Sequence, residues 1–164
     1  MTAAWRRGGL LVLGLAACGP SAPDAAVEVK LELTGGANPG TYLARSAQAG
    51  CTQDVTGPGS WSVQLTDWSG AKEGLRSLQL MLPSRAAPEQ FYLGLVFGDF
   101  FTGTVHEIET RDRAVERHGQ GRAMVIQDRT SDIAVVKGWT KDSVAIVATI
   151  TCRDRQTQGK GRTP

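Results

Sequence analysis

Several things are scarce in this 164-residue chain, and each scarcity closes off a class of function. Aromatic residues make up 6% of it and histidines number two, while cysteine occurs three times. No Gly-x-Ser-x-Gly, His-x-x-x-His or Cys-x-x-Cys pattern occurs, so serine hydrolase, zinc-protease and redox-dithiol chemistry lack their usual residues. No metal site and no cofactor site is therefore expected. Nowhere does an uncharged apolar run reach the roughly 20 residues that a membrane-spanning helix needs. Charge of one sign is missing too. Arg6 and Arg7 are two of the 18 Lys and Arg residues, and the remaining 16 balance 16 Asp and Glu. Without a basic excess to neutralise phosphates, no nucleic-acid partner is expected.

The first eighteen residues are the most specific part of the sequence. Arg6-Arg7 is followed by an uncharged stretch from Gly8 to Leu15, and the small residues Ala16 and Ala17 precede Cys18. That is the order of a secretory signal. Gly8 and Gly9 follow the arginine pair where a twin-arginine signal wants bulk, so the general export route fits better. Leu15-Ala16-Ala17-Cys18 resembles the lipobox of bacterial lipoproteins. The resemblance implies cleavage before Cys18 and a diacylglyceryl group on its thiol. It also implies an envelope location, in the outer membrane if the host has two membranes, because Gly19 rather than Asp follows the cysteine. The alternative is cleavage by the ordinary signal peptidase, leaving Cys18 a free thiol.

If Cys18 carries lipid, Cys51 and Cys152 remain, an even number in an oxidising compartment. A disulfide between them is expected; two buried thiols are the alternative, and a zinc pair lacks its other ligands.

Residues 1–17 thus read as signal, 18–26 as a flexible tether with Pro20 and Pro23, 27–152 as one folded domain and 153–164 as a disordered basic tail. Period-two alternation marks strands. It runs through Val27, Val29, Leu31 and Leu33, then Trp61, Val63 and Leu65, then Leu78, Leu80 and Leu82. It returns at Phe91 to Phe97 and at Val144 to Cys152, with shorter strands at 42–45, 105–110, 122–128 and 133–139. Twenty glycines and turns such as Asn38-Pro39-Gly40, Gly57-Pro58-Gly59 and Gly119-Gln120-Gly121 separate them. The expectation is an all-β antiparallel sandwich, or small barrel, of eight or nine short strands with one internal disulfide. An early cysteine paired with one in the terminal Thr149-Ile150-Thr151-Cys152 strand, with a Gly119-Gln120-Gly121-Arg122-Ala123 hairpin, resembles the small mycobacterial lipoprotein antigens.

Candidate sites are few. His106 shares a strand face with Ile108 and reads as core-edge packing, whereas His118 reads as a solvated residue before a hairpin tip. Glu107 and Glu109 share a strand face near Asp99, a pair that suits calcium or acid–base work but equally the charged face of an edge strand. Asp128 to Asp132 reads as a polar turn. Phe100 and Phe101, between Gly98 and Gly103, form the expected binding patch. The two rings either point opposite ways on a strand or share a loop tip between the glycines, and a plain buried turn is the alternative to a patch. Adjacent strand residues point oppositely, so one ring is expected in the core and the other outside, beside the charged segment from Arg111 to His118. The expected role is a non-enzymatic binding module for an envelope protein, lipid or small ligand. A carrier with a pocket between the sheets is the alternative, and a hydrolase using Glu107 or Glu109 is a distant third.

Overall fold

The structure, a computed structural model, describes residues 25–67, 74–153 and 155–157. The signal, Cys18, most of the tether and Trp68 lie outside these residues. Eleven strands follow in chain order: β1 (Val27–Thr34), β2 (Gly40–Ser46), β3 (Gly50–Gln53), β4 (Trp61–Thr66), β5 (Leu75–Leu82), β6 (Tyr92–Phe97), β7 (Thr104–Glu109), β8 (Gln120–Gln127), β9 (Asp132–Trp139), β10 (Ala145–Cys152) and β11 (Arg155–Thr157). They form a sandwich of two sheets, one ordered β2-β1-β10-β9-β8 and the other β11-β3-β4-β5-β6-β7. Every pairing is antiparallel except β11 against β3.

The alternation seen in sequence becomes the core. Val27, Val29, Leu31 and Leu33 of β1 face inward beside Ile146, Ala148 and Ile150 of β10. From the other sheet Trp61, Leu78, Leu80, Leu93 and Phe97 fill the space between them. Burying each such side chain is worth about 1.5–3 kcal/mol.

The strand count exceeds the expected eight or nine because β3 and β11 carry no alternating apolar signal. β3 reads Gly-Cys-Thr-Gln and is recruited by pairing with β4. β11 corrects the expectation of a wholly disordered tail, since Arg155–Thr157 pairs in parallel with Cys51–Gln53; the tail beyond it lies outside the described residues. Gln120 and Gly121 open β8 rather than forming a hairpin tip. The glycines there have a packing role. Gly121 and Gly138 are cross-strand partners, and a Cβ on Gly138 would lie 2.8 Å from Cδ1 of Ile108 in the opposite sheet. Their bareness lets β7 close down on β8 and β9.

One end of the sandwich is cross-linked. Cys51 of β3 and Cys152 of β10 are bonded, with Cα atoms 6.1 Å apart and a sequence separation of 101. Both are buried. Beside them Asp132, fully buried on the inner side of β9, accepts hydrogen bonds from Gln53 Nε2 at 2.7 Å and Trp61 Nε1 at 3.1 Å, both from the opposite sheet. A loop of this length predicts about 4–5 kcal/mol of stabilisation from the disulfide in the chain-entropy model. Denaturant melts with and without reductant should differ by that amount, and equal midpoints would show that the bond contributes nothing.

Candidate functional site: a neutral groove on the six-stranded sheet

The expectation that one ring of the Phe100–Phe101 pair enters the core is not met. The two residues sit in the β6–β7 turn, where Asp99 Oδ1 accepts from the Phe101 N–H at 2.8 Å, rather than on a strand. Strand alternation therefore does not apply, and neither ring enters the core: Phe100 is 41% exposed and Phe101 96%. Arg76 stacks over Phe100 at 5.5 Å. The segment from Arg111 to His118 is not beside them either, because it follows the far end of β7. An exposed single ring contributes little to folding, so Phe101→Ala should shift stability by less than about 0.5 kcal/mol. A core-like loss of several kcal/mol in a thermal or urea melt would contradict that placement.

A different surface has the shape of a site. Outward-facing residues of β3, β4 and β5 form the floor of an open groove of about 1010 Å³. The floor comprises Thr52, Ser62, Gln64, Thr66, Gln79 and Met81. Register sets their order: Thr52 lies opposite Ser62, Gln64 opposite Gln79, and Ser62 opposite Met81. The Thr52 and Ser62 hydroxyls are 2.6 Å apart, and Gln79 Nε2 approaches Met81 Sδ at 3.4 Å. Four loops supply the walls, through Gln48 and Ala49, Val55 and Thr56, Pro83 and Gln90, and Arg111 to Ala114. The floor bears no charge.

Two of the wall's three charged residues, Arg111 and Asp112, are paired. Arg111 pairs with Glu109 and stacks over Tyr92 at 5.2 Å, and Asp112 pairs with Arg117 and accepts from Gln90. Tyr92 donates to Glu107 Oε1 at 3.0 Å, and Glu107 lies 3.6 Å from His118 Nε2. Burial of the Tyr92 phenol, with the Glu107 carboxylate beside it, pushes its pKa up to about 12. Burial opposes ionisation of Glu109, but the hydrogen bonds and charge of Arg111 outweigh it and hold its carboxyl below the usual range. Glu107 and Glu109 do lie on the outer face of an edge strand, as expected. Glu109, however, is buried under Arg111 rather than solvated, and His118 is half-buried against β7 through a backbone bridge to Glu109.

Sequence reasoning missed the groove because its floor is the polar half of strands read only for their apolar half. Asp132 was missed as well: the polar turn ends at Ser131, whose carbonyl accepts from the Asp128 N–H, and Asp132 begins the next strand facing inward. A smaller depression of about 570 Å³ lies at the sandwich edge near Tyr42, Leu65 and Leu75. Among the described residues no three His, Cys, Asp or Glu side chains converge as a metal site. Comparison with family models, curated proteins and solved structures finds no match. The likeness to the mycobacterial antigens thus rests on the sequence features alone.

His106 packs inward as expected, with its ring 5.8 Å from that of Phe97. Burial disfavours its imidazolium and lowers its pKa, against smaller opposing effects of the Ala37 carbonyl and Asp142. The unfolded chain, with an ordinary histidine pKa near 6.5, then takes up a proton before the folded chain does. Stability from neutral His106 is present above about pH 6.5 and is lost as pH falls toward the lowered folded pKa. Urea midpoints measured from pH 7.5 to 5 should decline, and His106→Phe should flatten that slope. An equal slope in the variant would remove His106 as its cause.

Proposed function

We propose that this chain is a lipid-anchored envelope lipoprotein whose sandwich acts as a non-enzymatic binding module through the groove on its six-stranded sheet. The observation that carries the reading is the groove itself, a neutral floor of hydroxyl and amide side chains walled by four loops. Gln and Ser or Thr side chains both donate and accept. Such a floor suits an uncharged ligand rich in hydroxyl and amide groups, of the kind found in envelope glycans. The lipobox at Leu15-Ala16-Ala17-Cys18 supports the anchor, and the balanced charge beyond it argues against a nucleic-acid partner.

A hydrolase reading is weakened by Glu109, which Arg111 holds ionised when a general acid needs a raised pKa. The carrier reading is weakened because Trp61, Phe91 and Phe97 fill the space between the sheets rather than lining an opening.

Two experiments test the two halves of the proposal. Mass spectrometry of the N-terminal peptide should find a diacylglyceryl adduct on Cys18; an unmodified thiol on a cleaved, soluble protein would end the anchor. NMR titration with oligomers of N-acetylglucosamine should move backbone signals of Thr52, Ser62, Gln64 and Gln79. Gln64→Ala with Gln79→Ala should then cost about 1–3 kcal/mol of binding, the net worth of two neutral hydrogen bonds. Shifts confined to other surfaces would refute the groove as the site.

A further inference from the structure

The outer face of the five-stranded sheet is chemically unlike the groove. On β8, β9 and β10 its outward positions include Met124, Ile126, Trp139 and Val147, which are between 40% and 58% exposed. Val135 and Ile133 fill in between them, since register places Met124 opposite Val135 and Ile126 opposite Ile133. Only two outward positions on these three strands are charged, and both are cationic. Arg122 and Lys137 are direct cross-strand partners, and neither has an ion-pair partner among the described residues. The nearest acids in the sheet, Glu28 and Glu32, lie on β1, two strands from Lys137, and Glu28 is engaged by Arg45 and Lys30.

Like charges placed directly opposite destabilise a sheet, and an apolar patch of this kind on a solvated face is a mark of an interaction surface. The pair points to an anionic occupant, and the surrounding side chains call for one that is also apolar. We infer that this face rests on a bilayer containing anionic lipid, with Arg122 and Lys137 at the headgroups and Met124, Ile126 and Trp139 entering the interface. Trp suits that boundary because its ring is apolar and its N–H polar. A second copy of the chain fits less well, because an isologous pairing would bring this cationic centre near its own image. The proposal does not depend on lipid at Cys18. An anchor there would reinforce it, since the nine residues from Cys18 to Val27 span at most about 30 Å and lead into β1 of this same sheet.

The test uses the chain from Gly19 onward, which contains both sheets and the disulfide and carries no lipid. It should bind vesicles of phosphatidylglycerol mixed with phosphatidylcholine, bind pure phosphatidylcholine far more weakly, and release as salt rises. On binding, tryptophan emission should shift to the blue in this protein and not in Trp139→Phe. Arg122→Gln with Lys137→Gln should weaken binding roughly 25-fold, about fivefold per cation near an anionic surface. Arg113→Gln with Arg117→Gln removes the same charge from the β7–β8 loop and should leave binding nearly unchanged. Equal loss in both double variants, equal affinity for both vesicles, or no vesicle binding at all would overturn the inference. So would self-association through Trp139 in place of vesicle binding. Failure of any of these arms leaves the groove and its glycan titration untouched.

Discussion

The join between Cys51 and Cys152, with Asp132 beside it, is what the rest of the sandwich depends on. Among the described residues no strand ladder joins the two stacked sheets. Apart from backbone bonds at the β8 edge, such as the Ala123 N–H to the Pro88 carbonyl at 2.7 Å, their relative position rests on side chains. Apolar packing gives the energy but tolerates sliding. A covalent bond from β3 to β10, next to a buried carboxylate on β9 that accepts from Gln53 and Trp61, permits one alignment only. A buried carboxylate left unpartnered would be costly, so slippage that broke those two bonds would be penalised strongly.

Fixing that end determines where the chain's other features fall. β3 is short and without apolar alternation, yet it is held by the disulfide, by β4 on one side and by β11 on the other. Holding β3 completes the groove, because Thr52 and the loops on either side of β3 form its far wall and part of its floor. At the opposite edge the Gly121–Gly138 pair admits Ile108, so the β7 edge closes onto β8. The outer faces are then left to differ freely. One carries a neutral, polar floor walled by loops, and the other carries an apolar patch on β8, β9 and β10 with two cations.

Much of this was legible from sequence, and the misses have physical causes. Nine strands announced themselves because half-buried strands must alternate, and His106 could be placed inward by its phase with Ile108. The two cysteines paired as their count required. What alternation cannot supply is long-range pairing. β11 has no apolar residue to betray it, and it exists only because β3 offers an open edge. Asp132 looked like the end of a polar turn, since nothing local distinguishes a turn carboxylate from one about to be buried against an indole 71 residues away. The Phe100-Phe101 pair misled for the opposite reason. Two adjacent large rings drew attention, but a turn set by Asp99 removes the strand geometry on which the inference rested.

That last case bears on where function sits in a small sandwich. An exposed ring on a turn can contact a partner with little more than its own area, and Phe101 is 96% exposed. A sheet face differs, because register holds several side chains at fixed spacings without further ordering. The backbone entropy of Gln64 and Gln79, or of Arg122 and Lys137, was already spent in folding. Contacts made by such pre-ordered groups lose less on binding than contacts made by a loop. The outward positions of the strands, which a search for core residues sets aside as merely polar, are therefore the positions on which a sandwich can hold contact groups at the least cost in ordering.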